Sequence, residues 1–267
     1  MNISQIISNS FKYPFKNLKR LVVLCILFVL PIIFPIGLYY DSDVVVIVGI
    51  IVIFALILII PGYTVSIIKK GSVVSDELPS LRIGRNIVDT FKLLILRIVY
   101  MIVPVAVFLI LLFSMISTIF NGDFGFDIGG FLSTLGIVLL VIYIVYFIFE
   151  FLLIFARARL AHFNSLIESL KIHKVVKDIR NIGVGRVIGW YIVMAILLGI
   201  VSIACILLIF IPYVGFLLYF CIAIPIILVI YYYSLGLLYS NIVEGKYDGD
   251  LDLDEFEKEI QRLKYRI

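Results

Sequence analysis

The chain has 267 residues, of which 63% are hydrophobic and 15% charged, and its mean hydropathy is +1.21. Soluble domains are about half apolar and about one quarter charged, so this composition excludes an ordinary water-soluble protein. The formal net charge is only +4, and the distribution of the charges along the chain is more informative than their sum.

Six apolar stretches are long enough to cross about 30 Å of hydrocarbon as helices. They are Leu21–Tyr40, Val44–Ile68, Ile98–Ile119, Phe131–Ala156, Val187–Ile211 and Tyr213–Ser240. A lipid-facing backbone must satisfy its own hydrogen bonds, and these stretches lack the alternation of a membrane barrel. The connections within successive pairs are short, which predicts three antiparallel hairpins. We therefore expect an all-α polytopic membrane protein with cytoplasmic amphipathic helices.

The basic residues indicate the orientation of these spans. All 22 Lys and Arg residues lie before the first span, between the second and third, between the fourth and fifth, or in the tail. Because short basic segments remain in the cytoplasm, both termini are predicted to be cytoplasmic in a multi-pass protein of the cell membrane.

The segments that precede the hairpins have polar and apolar faces, which predicts three units of one plan. The units are about 1–70, 78–160 and 163–240, within a membrane domain of residues 1–240 that is followed by a tail of residues 241–267. The stripes of the first two segments are Ile3, Ile6, Ile7 and Phe11, then Leu81, Ile87, Val88, Phe91 and Leu94. Ser80 is the predicted helix cap of the second segment.

The third segment has the clearest amphipathic pattern. Its apolar stripe is Phe163, Leu166, Ile167, Leu170, Val176 and Ile179, and its basic face is Lys171, Lys174, Lys177 and Arg180. Ser165 and Glu168 have the spacing of a capping box. The basic face predicts contacts with anionic lipid headgroups or a partner, or else a solvated surface that binds nothing in particular.

Glu150 is an ionisable residue within a predicted span. Tyr143, Tyr146, Glu150 and Arg157 fall on one helical face, which predicts an intramembrane polar stripe. The simpler alternative is that Glu150 lies near the interface and reaches headgroups, water or Arg157. Prolines within the spans either break helices around a substrate or produce tolerated kinks. These prolines are Pro31, Pro35, Pro61, Pro104 and Pro225.

Motifs for catalysis or metal binding are weak in this chain. Asp248, Asp250, Asp252 and Glu259 have EF-hand spacing, but Leu253 occupies the position that requires glycine, so an acidic helix start is preferred. The two histidines, His162 and His173, stand apart, and Cys25, Cys205 and Cys221 lie in apolar runs. We expect no catalytic residue, cofactor or metal, and no enzymatic activity.

Several short motifs resemble a known family. They are Tyr13-Pro14-Phe15-Lys16, Pro61-Gly62-Tyr63, Ile67-Ile68-Lys69, Glu77-Leu78-Pro79, and Asp89 with Lys92. In these motifs and in the spacing of its spans, the chain resembles the archaeal membrane proteins grouped as domain of unknown function 4013. The resemblance implies a multi-span prokaryotic membrane protein, and it implies no particular activity.

Together these features predict a non-enzymatic membrane protein that organises lipid or a partner through its cytoplasmic helices. A transporter or channel for an apolar or weakly polar solute is the alternative, indicated by the prolines and by Glu150, and a membrane enzyme is the third possibility. The expected partners are the bilayer and either anionic lipid or another membrane protein, and not nucleic acid.

Overall fold

The computed structural model describes residues 1–120, 128–211 and 214–244, and every regular element in these ranges is helical. Helices α1 to α11 are, in order, Ile3–Lys16, Leu18–Val29, Ile33–Tyr39, Asp43–Ser72, Ile83–Phe120, Ile128–Phe163, Leu166–Leu170, Ile172–Ile182, Val184–Ile206, Gly215–Leu218 and Ile224–Glu244. A 3₁₀ turn at Leu30–Ile32 joins α2 to α3, and another at Leu207–Phe210 extends α9. A π turn at Tyr219–Ala223 joins α10 to α11.

Six stretches of the described chain are long and apolar enough to cross a membrane. They are Leu18–Tyr39, Asp43–Ser72, Ile83–Ser117, Ser133–Phe163, Val184–Phe210 and Gly215–Ile242. Large apolar side chains cover their outer surfaces, including Phe54 at 63% and Phe113 at 74% exposure, as expected where lipid is the solvent. The protein is therefore an all-α, multi-pass membrane protein, and the predicted fold class is confirmed.

Helix α5 begins much earlier than the predicted third span. It starts at Ile83 rather than Ile98, so the second amphipathic segment is the first part of a span and not a separate helix. Ser80 does not cap this helix, because the first helical hydrogen bond is accepted by the carbonyl of Arg82. The prediction of a cap at Ser80 is wrong.

The predicted apolar stripe of this segment does not face the protein. Val88, Phe91 and Leu94 are each more than half exposed, whereas Asn86 and Asp89 are buried. Asp89 pairs with Arg85 and Lys92, and the backbone of Asn86 lies against Gly62 of α4. The apolar residues face the surroundings, as suits a helix that enters lipid.

The third amphipathic segment forms two helices, α7 and α8, which are separated at Lys171 by an extended backbone with a ψ of 90°. Because of this break, the residues of α8 do not continue the helical spacing of α7. The buried residues of α8 are Val175, Asp178, Ile179 and Ile182. The spacing predicts Ile167 and Val176 on the apolar stripe, but they are 69% and 38% exposed, so that part of the prediction is wrong. The hydroxyl of Ser165 does accept the backbone N–H of Glu168, at 3.4 Å.

The buried core lies where the basic segments meet. Helix α1 packs on α11, with Ile6 buried, and the Tyr13 ring stacks on Tyr233 with 3.5 Å between centroids. Lys92 Nζ donates to Asn164 Oδ1 at 3.2 Å and so connects α5 to the segment after α6. We call residues 1–20, 69–92 and 157–186 the basic end. Among the side chains that the structure describes, none is buried beyond Pro104 in α5 or beyond Met194 in α9.

Two glycines allow α4 and α11 to cross closely. A Cβ at Gly236 would lie 2.3 Å from the carbonyl oxygen of Ile68 and 2.8 Å from the Cα of Gly71. Small residues at such a crossing permit backbone approach, which here brings α11 against the end of α4. This contact positions Tyr233 beside the segment that follows α4.

The last helix extends into the predicted tail. Helix α11 continues to Glu244, past the predicted start of the tail at Asn241. The acidic stretch from Asp248 to Glu259 lies outside the described residues, as do residues 121–127 and 212–213. The plan of three equivalent units stays a prediction.

Candidate functional site

The segment of residues 75–79, between α4 and α5, is held by side chains from four helices and from Asn17, which links α1 to α2. Its five consecutive carbonyl oxygens each accept a hydrogen bond. The donors are Tyr233 to Ser75 at 3.2 Å, Asn17 to Asp76 at 2.6 Å, Tyr13 to Glu77 at 2.8 Å, Arg20 to Leu78, and Tyr63 to Pro79 at 3.0 Å. A non-helical segment has no partners of its own for these groups, so the side chains supply them. We call this set of bonds the carbonyl clamp.

The phenol of Tyr13 is suited to this structural role. Burial raises its pKa well above the usual value, so the hydroxyl remains protonated and keeps its hydrogen for the carbonyl of Glu77. At the edge of the clamp, Lys16 pairs with Asp76 at 2.9 Å and Arg20 with Glu77 at 3.6 Å. These pairs are exposed and contribute less to stability than the buried hydrogen bonds.

A cavity of about 140 Å³ opens beside the clamp. Among the described residues, its cationic lining consists of Arg20, Lys69, Lys70, Arg82 and Arg85. Glu77 is the one carboxylate in this lining, and Ser66 and Ser80 add hydroxyl groups. The excess of cations makes this cavity electrostatically suited to an anion.

An apolar groove of about 160 Å³ adjoins the cavity. Arg20, Pro79 and Ser80 line both spaces. The groove continues along Val23, Leu24 and Leu27 of α2, and its other wall is formed by Tyr63 of α4 and Leu81, which precedes α5. A charged space thus leads directly into an apolar one.

The predicted basic face of the third segment is divided by Glu168. The carboxylate of Glu168 accepts from Lys171 at 2.7 Å and from Lys174 at 2.6 Å. These hydrogen bonds lower the pKa of Glu168 to about 2, so it is ionised at neutral pH and offsets part of their charge. Lys177 and Arg180 are exposed on α8. Of the four predicted headgroup contacts, these two are therefore the better placed.

A buried ionic network, which the sequence did not predict, lies beneath this face. Arg159 of α6 donates to Asp178 of α8 at 2.5 Å, and the Tyr239 hydroxyl of α11 donates to the same carboxylate oxygen at 2.5 Å. The guanidinium also donates to the carbonyl of Glu168 at 3.0 Å and lies 4.6 Å from the centre of the Phe163 ring. The network joins three helices of the basic end.

The residues of the predicted polar stripe are only partly brought together. Tyr146 donates to Glu150 at 2.9 Å, and Arg97 of α5 lies 3.5 Å from the same oxygen. In the described chain no hydrogen bond or ion pair joins Arg157 to Glu150, and Tyr143 is 64% exposed. The cation beside Glu150 thus comes from the neighbouring helix, which spacing within one helix could not indicate.

Comparison with family models identifies the group to which this architecture corresponds. The model described as protein of unknown function (DUF4013) matches residues 44–210, which is more than half of the chain. The chain belongs to this family. No curated protein and no solved structure matches it.

The DUF4013 match confirms the family resemblance and leaves the archaeal origin a prediction. The matched range contains most of the cationic lining of the cavity, from Lys69 to Arg85, but it begins after the α1 and α2 residues of the clamp. The clamp residues Tyr13 and Arg20 are therefore outside the matched range.

The short motifs that carry the resemblance, where they fall within the DUF4013 match, lie close together in space. Tyr63 reaches Pro79 through the clamp, and the preceding Gly62 donates its N–H to the Thr90 hydroxyl at 2.8 Å. A Cβ at Gly62 would lie 1.8 Å from the Asn86 carbonyl oxygen, so only glycine allows this approach of α4 to α5. One turn further on, Asp89 pairs with Lys92 at 3.2 Å and with Arg85 at 3.7 Å. Of the motif residues, Lys69, Glu77 and Pro79 line the cationic cavity.

Proposed function

We propose that this DUF4013 protein is a non-enzymatic integral membrane protein that organises anionic lipid at its basic end. The observation that carries the proposal is the convergence of basic segments that are far apart in sequence. Exposed cations come from each of the three segments: Lys12, Lys19, Arg82, Lys177, Arg180 and Arg186. Each Lys or Arg near an anionic membrane surface adds about 1 kcal/mol of attraction.

The non-enzymatic part of the proposal is supported by the way in which the buried carboxylates are used. Asp89 is paired with Arg85 and Lys92, and Asp178 accepts from Arg159 and Tyr239. A carboxylate whose oxygens are taken up by such partners stabilises the fold and is poorly placed to exchange protons with a substrate. A cytoplasmic location of the basic end, and a role in binding a membrane-protein partner, belong to the same proposal.

A transporter or channel is the second candidate, and one observation favours it. A cavity of about 160 Å³ lies among Ile154, Trp190, Tyr191, Met194, Ala195, Leu198 and Tyr231. The indole N–H of Trp190 is buried and has no hydrogen-bond partner in the described chain. A weakly polar solute with one acceptor would satisfy this group. Uptake of such a solute into protein-containing vesicles, lost in Trp190→Phe, would favour this candidate.

The preferred function can be tested by measuring which lipids surround the protein. The full chain is reconstituted into bilayers with trace spin-labelled phosphatidylglycerol or phosphatidylcholine, and the motionally restricted fraction of each lipid is measured. We expect a larger restricted fraction for phosphatidylglycerol, with the difference reduced by high salt because salt screens exposed charges. Two outcomes together would contradict the proposal: equal restricted fractions of the two lipids at low salt, and no other protein copurifying with this one from native membranes.

A further inference from the structure

We propose that the cationic cavity and the apolar groove together bind one anionic phospholipid, with its phosphate in the cavity and one acyl chain in the groove. This inference rests on the proposed function and assigns a specific site to it. A general attraction of anionic lipid requires only exposed charge, whereas this site requires a defined shape and a fixed set of partners.

The lining of the cavity matches the chemistry of a phosphate group. Five cations and one carboxylate line it among the described residues, so an anion there is stabilised even though Arg20 also contacts Glu77 at 3.6 Å. Arginine presents paired N–H donors that fit phosphate oxygens, and lysine adds a mobile point charge. The hydroxyls of Ser66 and Ser80 provide neutral donors in the same lining.

The carbonyl clamp makes one wall of the cavity rigid before any ligand binds. Glu77 and Pro79 line the cavity, and their backbone carbonyls are fixed by Tyr13 and Tyr63 at 2.8 and 3.0 Å. A wall that is already ordered loses little conformational freedom on binding, and preorganisation of this kind increases affinity. The clamp therefore gives the cationic side chains a stable frame.

The position of the cavity along the spans corresponds to the headgroup level. Arg20 lies near the start of the first span, which begins at Leu18, and Lys70 lies near the end of the second, which closes at Ser72. Cationic pockets between spanning helices at this level are where anionic headgroups bind. A lipid phosphate would enter the cavity without leaving its normal depth.

The groove favours a lipid over a free phosphate ion. It extends from Arg20 to Leu27 along α2, a rise of about 10 Å at about 1.5 Å per residue. Val23, which lines the groove, is 49% exposed, so the groove is open to the surroundings of the span. An acyl chain would cover this apolar surface, whereas a soluble anion would leave it uncovered.

Native mass spectrometry of the full chain in detergent, titrated with phosphatidylglycerol, tests the cationic half of the site. The cavity variant is Lys70→Gln with Arg82→Gln, and the matched control is Lys177→Gln with Arg180→Gln, which removes the same charge from the exposed face of α8. We expect one tightly bound lipid in the wild type. Two charges at about 1 kcal/mol each correspond to about a 30-fold higher Kd in the cavity variant. The control should change Kd by less than about threefold.

Equal weakening in both variants would overturn the assigned site and show that only diffuse attraction is present. Should the double cavity variant fail to fold, as judged by thermal unfolding, Lys70→Gln alone is expected to raise Kd about fivefold. Phosphatidylglycerol enrichment around the protein without one tight lipid would leave the proposed function standing and reject this inference. Equal motionally restricted fractions of phosphatidylglycerol and phosphatidylcholine would reject the proposed function itself.

The groove is tested separately with Val23→Trp and its neighbour Val22→Trp as the control. Both valines are about half exposed, but only Val23 lines the groove. We expect Val23→Trp to weaken phosphatidylglycerol binding about tenfold, since it displaces the equivalent of about two methylene contacts. Binding of inorganic phosphate should be unchanged by either substitution. Unchanged lipid binding in Val23→Trp, with phosphate binding lost in the cavity variant, would assign the site to a free phosphate and overturn the lipid assignment.

Discussion

Asp178 and Arg159 form a buried ion pair at 2.5 Å, although one lies on the short helix α8 and the other at the end of the fourth span. Their side chains are only 4% and 5% exposed. The pair anchors α8 to the bundle, so the exposed cations Lys177 and Arg180 are held in place by the same helix that buries Asp178. The charged surface of the basic end thus depends on an internal charge pair.

Removing the Asp178 carboxylate should destabilise the protein strongly. In Asp178→Asn, the buried guanidinium of Arg159 keeps only its 3.4 Å contact with the Glu168 carboxylate, which two lysines already share. Loss of the closer counter-charge from a buried pair typically costs about 3–5 kcal/mol. Thermal unfolding in detergent measures the effect. The control is Asp76→Asn, whose exposed partner is Lys16, and we expect less than about 1 kcal/mol there. Similar losses in the two variants would refute the importance of the buried pair.

The double variant Arg159→Met with Asp178→Leu examines the same pair in another way. Replacing both buried charges with apolar side chains avoids an uncompensated charge, so most of the lost stability should return. Unfolding of the two single variants and the double variant provides the measurement. A double variant as unstable as Asp178→Asn would mean that the lost contacts, and not the unpaired charge, cause the instability.

The crossing of α4 and α11 should not tolerate alanine. Gly236→Ala places a Cβ 2.3 Å from a backbone oxygen, so the helices must separate, at a cost of about 1–3 kcal/mol. Gly199→Ala on α9 is the control, since its Cβ would meet nothing within 4 Å. That control should be neutral or up to about 1 kcal/mol more stable because alanine favours helix. If thermal unfolding ranks the two variants equally, the close crossing is not tight in the folded protein.

The carbonyl clamp should restrict the opening of residues 75–79. Tyr63→Phe removes the donor to Pro79 and leaves a buried carbonyl unsatisfied, which costs about 1–3 kcal/mol. Hydrogen–deuterium exchange of the 73–82 peptide should become faster in this variant. Tyr143→Phe, at an exposed tyrosine outside the clamp, should leave that peptide unchanged. Equal exchange in both variants would show that the segment is held by other contacts.

Orientation can be measured with cysteine labels after Cys25, Cys205 and Cys221 are replaced by alanine. His173→Cys marks the basic end without changing its Lys and Arg residues, and Tyr40→Cys marks the turn at the opposite end of the first span. We expect an impermeant thiol reagent applied to intact cells to label position 40 and not position 173. The reverse pattern would place the basic end outside the cell.

The spans could be predicted from the sequence because the bilayer imposes a minimum apolar length that few other structures meet. Their ends were less predictable. Helix α5 begins at Ile83, since a helix continues into the polar phase whenever its backbone bonds and local contacts allow it. Hydropathy detects the hydrocarbon boundary and not the helix terminus.

The interior of the basic end could not be predicted, because it is assembled from separate segments. The break at Lys171 changes which residues of α8 face inward, so spacing counted from α7 does not indicate that Asp178 lies on the buried face with Val175 and Ile179. The one sequence feature that indicates a buried ion pair is the Asp178 carboxylate on an otherwise apolar helix face. No sequence feature indicates the carbonyl clamp, because its tyrosines come from three different helices and resemble ordinary interfacial residues.

The central claim, that the basic end gathers anionic lipid, is tested most directly by comparing lipid composition at the two ends. A fluorophore is attached at His173→Cys or Tyr40→Cys in the cysteine-free chain, in bilayers of phosphatidylcholine and phosphatidylglycerol with either headgroup spin-labelled. We expect the label at position 173 to be quenched more by phosphatidylglycerol than by phosphatidylcholine, and the label at position 40 to be quenched equally by both. The same quenching ratio at both positions would contradict the claim.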